Sequence, residues 1–194
     1  MMENDVKHLD SAIGENLRRQ RLALGLTLEA LAEASGVSRA MISRIERGET
    51  SPTALLLARL CAAFGTSLSA FFADAEQPAS PFLARDEQPV WRDPDTGYIR
   101  RAVSPSGTGS NVDLTEVEFP AGARVTFAPQ TANAGITQHM WLFQGEMELK
   151  VGETEYTLQP GDCLFMPLMA GITFHNPGKT PARYAIVLER RSGF

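Results

Sequence analysis

Three arginines recur in one short stretch of this sequence, GVSRAMISRIERGE at residues 36–49. If the stretch is a helix, with about 100° of rotation per residue, the apolar residues Met41, Ile42 and Ile45 form one stripe. The opposite arc of about 140° holds two small residues and three cations, in the order Arg39, Ser43, Arg47, Ala40 and Arg44. No carboxylate of the helix lies on that arc, whereas solvated helices usually intersperse acidic residues with their arginines. The pattern favours an anionic partner over the alternative, a plain solvated face.

Local signals support this helix and fix its orientation. Ser38 is a favourable N-cap, and Gly48 is a favourable residue for ending a helix. Glu46 falls at the edge of the apolar stripe, where its carboxylate can pair inward instead of neutralising the arginines. We therefore expect the cations to remain available on the exposed face.

The overall charge conceals a local excess of positive charge. The 194 residues include 18 lysines and arginines and 23 aspartates and glutamates, a formal net charge of −5. Residues 12–72 nevertheless contain seven arginines and five glutamates, and the negative excess falls on residues 1–11 and 73–194. Because nucleic-acid binding depends on the local potential, the acidic total does not exclude a DNA partner.

The composition is that of an ordinary globular protein, with 43% hydrophobic and 21% charged residues. No run of 18 apolar residues predicts a membrane span, and the polar start MMENDVKHLD is unlike a secretory signal. Cys61 and Cys163 stand far apart in apolar surroundings, which predicts two buried thiols in a reducing compartment rather than a disulfide or a zinc site. We therefore expect a cytoplasmic protein without a membrane partner.

The arginine segment is one of five short helices predicted in the first part of the chain. Apolar residues recur at helical spacing and are interrupted by stop signals at Gly25, Gly36 and Gly65. Thr27 is a suitable N-cap for the second helix, and Ser51 followed by Pro52 is a suitable start for the fourth. The pattern predicts an all-α bundle at residues 12–73, preceded by a flexible tail at residues 1–11.

The bundle resembles a known family of DNA-binding domains. The run LRRQRLALGLTLEALAEASGVSRAMISRIERGETSPTALLLARLCAAFGTSLSAFF is similar to the helix-turn-helix domain of phage repressors and Cro proteins, the XRE family. In such domains the helix after the ASGVS turn lies in the DNA major groove. The resemblance implies a base-facing set in which arginine can grip guanine O6 and N7: Arg39, Ala40, Ser43 and Arg44.

The same resemblance implies roles for residues beside the base-facing set. Thr27 and Ser38, at helix N-termini, are expected to bind DNA phosphates, and Arg47 is expected to hold the DNA backbone. Arg21 is expected to pair with Glu46, which accounts for the inward position of that acid. We assign this ion pair to structure, because removing either partner would leave the other charge buried alone.

Hydrophobic periodicity changes after residue 73. The segment ADAEQPASPFLARDEQP is rich in proline and acids, which predicts a linker at residues 74–88. Beyond it, short runs rich in Val, Phe, Tyr and Thr are separated by Gly and Pro turns, which predicts an all-β sandwich or barrel at residues 89–194. Met147, Leu149 and Val151 alternate with charged residues and mark a strand with one dry face.

The β-rich half is similar to the cupin family, a small jelly-roll barrel. The order FQGEMELKVGETEYTLQPGDCLFMPLMAGITFHNPGK carries the resemblance, through Gly145, the PGD of residues 160–162, Pro167 and Asn176. The resemblance implies a cupin barrel that serves as a sensor and dimerisation domain. A repressor-type domain followed by a cupin is an architecture of bacterial transcription regulators.

Metal-binding cupins hold their metal with three histidines and a glutamate. Counted along the motifs, the carboxylate position falls on Gln138, the third histidine on Ile172 and the paired histidines among residues 131–134, and none of these is a suitable ligand. His139 and His175 each lie one residue from a ligand position, which turns a strand side chain to the opposite face. We therefore predict no metal, no cofactor and no catalytic residues.

Without a metal, the barrel is expected to bind a ligand rather than to catalyse a reaction. Strand alternation directs a set of side chains inward as a candidate effector pocket: Phe127, Gln138, Met140, Leu142, Ile172 and Phe174. The alternative is that these side chains simply fill a small barrel.

The sequence thus predicts a homodimeric regulator that binds an inverted-repeat operator in double-stranded DNA and has a small molecule as a further candidate partner. Two alternatives stay open at this stage. One is a metal-dependent cupin enzyme tethered to DNA, and the other is a regulator whose cupin domain only dimerises.

Overall fold

The computed structural model describes residues 2–66, 68–73, 80–129 and 136–190. Its first part is helical, with α1 (Met2–Ala23), α2 (Leu28–Ser35), α3 (Arg39–Glu46), α4 (Ala54–Ala63) and α5 (Leu68–Ala73). Helix α1 begins at Met2 and therefore includes most of residues 1–11, for which the sequence predicted a flexible tail. No glycine or proline stands between Met2 and Gly14, so nothing in the sequence stops the helix there.

Side-chain caps determine where the short helices begin. The hydroxyl of Thr27 accepts a hydrogen bond from Ala30 N at 3.1 Å, and that of Ser38 accepts one from Met41 N at 3.2 Å. Both residues are therefore the N-caps that the sequence predicted. The predicted start of the fourth helix at Ser51 and Pro52 is wrong, because Thr53 caps α4 through Leu56 N at 3.3 Å.

The apolar stripes of the helices face one another in a common core. Ile13 and Leu17 of α1 pack with Leu31 of α2, and with Ile42 and Ile45 of α3. None of the described helices is long and apolar enough to cross a lipid bilayer.

One glycine sets the distance between α1 and α3. Gly14 of α1 lies against the backbone of α3, where a Cβ would overlap the carbonyl oxygen of Ile45 and lie 3.1 Å from Glu46 C. Only glycine permits this approach, so the two helices are in direct backbone contact.

The second part of the chain consists of antiparallel strands. They are β1 (Val90–Arg92), β2 (Ile99–Ala102), β3 (Val112–Phe119), β4 (Arg124–Phe127), β5 (Ile136–Gln144), β6 (Met147–Val151), β7 (Thr154–Leu158), β8 (Cys163–Pro167), β9 (Ile172–His175) and β10 (Ala182–Arg190). One sheet has the order β1-β2-β3-β10-β5-β8, and the other has the order β4-β9-β6-β7. The helical part followed by a β-rich part confirms the predicted two-domain organisation.

The prediction of a closed barrel is wrong for the described strands, because they form two separate sheets that pack face to face. Phe174 of the smaller sheet stacks on Tyr184 of the larger one, with ring centroids 6.3 Å apart. Hydrogen bonds run within each sheet, and the two layers are joined by side chains instead. The alternation of Met147 and Leu149 with exposed charged residues is as predicted.

The outer face of the larger sheet carries apolar side chains. Trp141 is 50% exposed, Phe143 43% and Phe165 55%. Cys163, predicted to be buried, is exposed on the same face, because β8 is an edge strand and its alternation turns Cys163 and Phe165 outward together. Cys61 is buried as predicted, and burial raises the pKa of its thiol.

The helical and β-rich domains are in contact. Phe72 of α5 lies 5.6 Å from Trp91 of β1, measured between ring centroids. Trp91 continues a series of ring contacts of 5.5 to 6.3 Å into the sandwich, through Tyr98, Phe119, Tyr184 and Phe174. Part of the predicted linker, residues 74–79, lies outside the described residues, and residues 80–88 contain turns and bends but no helix or strand.

Candidate nucleic-acid interface and ligand cavity

Helix α3 is held by its apolar side and presents its polar side to solvent. Ile42 and Ile45 are fully buried against α1 and α2. Arg39, Ala40 and Arg44 are exposed on the opposite side. Burial of two isoleucines, about 1.5–3 kcal/mol each, fixes the orientation of the exposed side. The buried side of α3 therefore fixes the orientation of the residues that the sequence predicted to face the bases.

Arg39 is paired with a carboxylate from a neighbouring helix. Its Nε lies 2.5 Å from Oε1 of Glu29, at the start of α2, and both side chains are about two-thirds exposed. The pKa of Glu29 is lowered, first by a hydrogen bond to its own backbone N–H and then by the charge of Arg39. The expectation that carboxylates avoid the arginine face is therefore wrong, because a helical projection of α3 cannot show an acid that comes from α2.

Arg47 lies just beyond the end of α3 and is also paired. Its guanidinium donates to both carboxylate oxygens of Glu49, at 2.6 and 2.8 Å, and to the hydroxyl of Ser43 at 2.5 Å. The hydrogen bonds between Arg47 and Glu49 raise the pKa of Arg47 and lower the pKa of Glu49. The arrangement turns the guanidinium back along α3.

Arg44 differs from the other two arginines of the segment. It is exposed in the last turn of α3, and its guanidinium makes no ion pair or hydrogen bond in the described part of the chain, although its charge helps to lower the pKa of Glu49. Its guanidinium is thus free to donate to an external acceptor. A guanine edge and a phosphate both offer the pair of acceptors that a guanidinium fits.

An ion pair behind α3 joins that helix to α1. Arg21 Nε lies 2.6 Å from Glu46 Oε1 and Nη2 lies 2.9 Å from Oε2, while Nη1 donates to Leu26 O at 2.9 Å. Both side chains are about nine-tenths buried, and the hydrogen bonds from Arg21 to Glu46 are the main cause of the raised pKa of Arg21. Glu46 is therefore engaged inward, and the pair fixes α3 to α1 and to the turn before α2.

Comparisons with known proteins agree with this geometry. Residues 17–71 match a family model described as helix-turn-helix. The chain is 31% identical over 119 residues to the transcriptional regulator ClgR of Mycobacterium tuberculosis, which is 60% of this chain and 87% of that protein. This chain belongs to the helix-turn-helix family of transcriptional regulators. It is a DNA-binding transcriptional regulator.

The likeness extends beyond the DNA-binding domain of the regulator. The chain is 28% identical over 161 residues to the HTH-type transcriptional regulator SutR of Escherichia coli, 83% of either chain. A solved HTH_3 family transcriptional regulator from Vibrio cholerae has the same fold, with a TM-score of 0.77 at 24% identity over 97% of this chain and 99% of that one. The combination of helical and β-rich domains is therefore shared with a solved regulator.

The β-rich domain of the regulator contains a cavity of about 70 Å³. Four of the six side chains that the sequence assigned to an effector pocket line it, namely Phe127, Gln138, Ile172 and Phe174. Met140 and Leu142 point into the same sandwich and are fully buried, but they do not line the cavity. They pack in the core, which was the alternative prediction for all six side chains.

Sequence reasoning missed part of the cavity wall. Tyr98, which directly precedes β2, and Arg100 of β2 face the cavity. Ala58 of α4 and Leu68 of α5 face it as well. The cupin-like motifs begin after β2, so the resemblance gave no signal for the first pair. The second pair belongs to the DNA-binding domain, which therefore closes one side of the cavity.

Three polar groups stand among the apolar walls of the cavity. The hydroxyl of Tyr98 is buried beside Arg100, and burial raises the pKa of Tyr98 to about 12 although the guanidinium of Arg100 acts in the opposite direction. The guanidinium of Arg100 reaches Thr115 Oγ1 at 3.4 Å. Gln138 is buried, and its amide makes no hydrogen bond to another residue that the structure describes. The cavity is thus apolar with a few hydrogen-bonding groups, as ligand sites commonly are.

The positions of metal ligands in cupins hold no ligand side chains where the structure describes them. Gln138 and Ile172 line the cavity, and residues 131–134 lie outside the described part of the chain. His139 is exposed, with its ring 5.1 Å from that of Phe165 on the outer face, and His175 pairs with Glu148 at 2.8 Å. Within the described residues no three His, Cys, Asp or Glu side chains converge.

Proposed function

We propose that the regulator binds an inverted-repeat operator in double-stranded DNA as a homodimer, with α3 in the major groove. The free guanidinium of Arg44, on a helix whose apolar side is fixed by Ile42 and Ile45, carries this proposal. The base-facing set is Arg39, Ala40, Ser43 and Arg44, and the phosphate-facing set is Thr27, Ser38 and Arg47. Two-fold symmetry would put the two copies of α3 about 34 Å apart, one turn of DNA.

Phosphate binding by Thr27 and Ser38 follows from their places at helix starts. Each caps its helix through one backbone N–H, and the positive end of the helix dipole favours an anion at both helix starts, although at α2 the carboxylate of Glu29 already hydrogen-bonds to the backbone. Arg47, directed along α3 by Ser43, suits a DNA backbone contact better than a base edge.

The division between base and phosphate contacts is tested with two arginine variants. The operator is first obtained by selecting genomic fragments that the full chain retains. Arg44→Ala should then weaken operator binding by about 1–3 kcal/mol and relax the preference at one base position. Arg47→Ala should weaken operator and random duplexes alike. Equal losses on both kinds of DNA for both variants would contradict the division of roles.

We propose that the β-rich domain is a cupin-type jelly roll that forms the dimer. The outer face of its larger sheet exposes Trp141, Phe143 and Phe165 together, and contiguous apolar surface of this kind is unusual on a monomer. Sedimentation of Phe165→Glu tests the proposal, with Tyr156→Glu on the exposed side of β7 as the matched control. A dimer in wild type and control and a monomer in Phe165→Glu are expected, and a Phe165→Glu dimer of unchanged stability would contradict it.

We further propose that the cavity is an effector site and that the regulator is a binding protein of the bacterial cytoplasm without catalytic residues. The contact of Ala58 and Leu68 with the cavity supports an effect on DNA binding, because an occupant would touch both domains. A ligand changes DNA affinity only if it binds the DNA-competent and incompetent states unequally. Filling the cavity with Ile172→Trp should abolish any ligand response in a DNA-binding assay while the chain stays folded.

A further inference from the structure

We propose that the cavity of the β-rich domain binds a small uncharged molecule that carries a carboxamide group, and that Gln138 recognises this group. The inference rests on the proposed effector function of the domain and names the chemistry of its ligand. It depends on one buried side chain whose hydrogen bonds the described residues leave unmet, and on the apolar walls around that side chain.

Strand geometry directs Gln138 into the sandwich. It lies on β5 in line with Met140 and Leu142, which are fully buried, whereas the intervening His139 and Trp141 are exposed on the outer face. Gln138 itself is 7% exposed and lines the cavity. Its amide group is therefore directed at the cavity and not at the solvent around the sheet.

The amide of Gln138 has no hydrogen-bond partner among the residues that the structure describes, although the large majority of buried polar side chains have one. An unpartnered amide in an apolar wall destabilises the folded chain, because it loses the water that solvates it in the unfolded chain. Such a cost is expected where a ligand supplies the missing partner. Gln138 thus points to an occupant with hydrogen-bonding groups of its own.

Two other polar side chains of the cavity wall are engaged within the protein. Arg100 is in hydrogen-bonding contact with the hydroxyl of Tyr98, and it reaches Thr115 Oγ1 at 3.4 Å. Arg100 and the buried Asp113 of β3 both have further interaction partners in the protein. These groups therefore have partners before any ligand arrives, so the demand for a ligand group comes from Gln138.

The hydrogen-bonding pattern of Gln138 selects the polar group of the ligand. A glutamine amide presents N–H donors and a carbonyl acceptor side by side, and a second amide presents the complementary pair. A carboxylate only accepts and an ammonium only donates, so either would leave half of the Gln138 amide unsatisfied. A charged group would also lose its hydration among the apolar walls. The cavity should therefore prefer an amide to the acid or the amine of the same carbon skeleton.

The walls and the volume of the cavity limit the ligand body. Phe127, Ile172 and Phe174 contribute apolar surface, and the volume of about 70 Å³ is well below the roughly 150 Å³ of a cavity that admits benzene. The ligand body should therefore be a short aliphatic chain, smaller than an aromatic ring. Ala58 and Leu68 line the same cavity, so the ligand should bind best when the two domains are docked as they are here.

The test uses the full chain without DNA and ligands that share a carbon skeleton but differ in their polar group. Isobutyramide, isobutyrate and isobutylamine form one series, and propionamide, propionate and propylamine form a second. NMR titration at millimolar ligand should show binding of at least one amide, with its acid and its amine weaker by roughly tenfold or more. Absence of binding by both amides would overturn the proposal, as would equal binding of amide, acid and amine.

A variant of Gln138 separates ligand recognition from a role in folding. Gln138→Met keeps a side chain of similar length and removes the amide, so it should abolish amide binding. Because the unpartnered group is lost, the melting temperature of the ligand-free protein should rise, by roughly 2–4 °C. Gln144→Met, at an exposed position of the same strand, is the matched control and should change neither property. A lower melting temperature for Gln138→Met, or amide binding that persists in it, would overturn the proposal.

Operator titration with and without the bound amide tests the effector function separately. Amide binding that depends on Gln138 but leaves operator affinity unchanged would contradict the proposed effector function and not the ligand chemistry. Absence of amide binding by a chain that still recognises its operator would contradict the ligand chemistry and not the mode of DNA recognition.

Discussion

Asp93, between β1 and β2, accepts a hydrogen bond from the backbone N–H of Ala54, the first residue of α4, at 2.8 Å. Its other carboxylate oxygen accepts from the N–H and the hydroxyl of Thr96, at 2.8 and 2.6 Å. The β-rich domain thus supplies a preoriented carboxylate to the start of a helix in the DNA-binding domain. A negative charge at a helix N-terminus is stabilising, so the contact holds the two domains together.

Replacing this carboxylate should weaken the whole chain. Asp93→Ala leaves the buried Ala54 N–H without its acceptor, and we expect a loss of about 1–3 kcal/mol in the free energy of unfolding. Urea unfolding of the full chain measures it. Asp95→Ala, an exposed acid two residues away, is the matched control and should be nearly neutral. Equal effects of the two substitutions would show that the contact contributes nothing.

The pairing of Arg39 with Glu29 should limit DNA affinity. Glu29→Gln removes a carboxylate beside the predicted base-facing surface and releases the guanidinium, so binding to all duplexes should tighten several-fold. The slope of log affinity against log salt should steepen by up to about one. Glu33→Gln, which removes the same charge from α2 without contacting an arginine, should have a smaller effect. Weaker operator binding by Glu29→Gln would mean instead that Glu29 orients Arg39 for the bases.

The contact between α1 and α3 at Gly14 should tolerate no side chain. Alanine favours a helix over glycine by about 1 kcal/mol, but here its methyl group would overlap Ile45 O. We therefore expect Gly14→Ala to lower stability by about 1–3 kcal/mol and to weaken operator binding through displacement of α3. Thermal unfolding and DNA titration measure the two effects. Ser11→Ala, on an exposed position of the same helix, should leave both unchanged.

Glu116 should make the stability of the β-rich domain depend on pH. Its carboxylate lies 2.6 Å from Arg183, 3.2 Å from Arg85 and 3.6 Å from Arg101, and the hydrogen bond from Arg183 is the main cause of its lowered pKa. Because the folded-state pKa is below the ordinary value of 4.5, this contribution to stability is fully present above pH 4.5. It is lost as the pH falls through the folded-state pKa.

The comparison of wild type with Glu116→Gln isolates that contribution. Wild type should have the higher urea midpoint near neutral pH, and the difference should shrink as the pH falls below 4.5 and through the folded-state pKa of Glu116. A constant difference across this range would mean that the substitution acts through packing and not through the charge.

Features that depend on neighbouring residues in the chain could be predicted from sequence. Thr27 and Ser38 were identified as N-caps because a cap and the N–H it accepts from are three residues apart. Helix α4 was placed wrongly because serine, proline and threonine all precede it. Asp93, which also binds the start of α4, lies 39 residues further along the chain.

The cavity shows the same limit. Phe127, Gln138, Ile172 and Phe174 lie on strands where a period of two and the cupin-like motifs agree, and all four line the cavity. Arg100 belongs to the short strand β2 and Tyr98 directly precedes it, both outside those motifs, and so few residues cannot show by their alternation which face is buried. Likewise, the pairing of Arg39 with Glu29 depends on the angle between two helices, which no pattern within either helix reveals.

The ring contact between Phe72 and Trp91 bears on how such proteins evolve. A gene fusion that joined these helices to an unrelated second domain would leave the phenyl ring of Phe72 facing water, and the β-rich domain moved elsewhere would expose the indole of Trp91. Recombination at this boundary therefore demands compensating mutations on both sides. Exchange of modules should be rarer in this lineage than the length of the intervening segment alone would suggest.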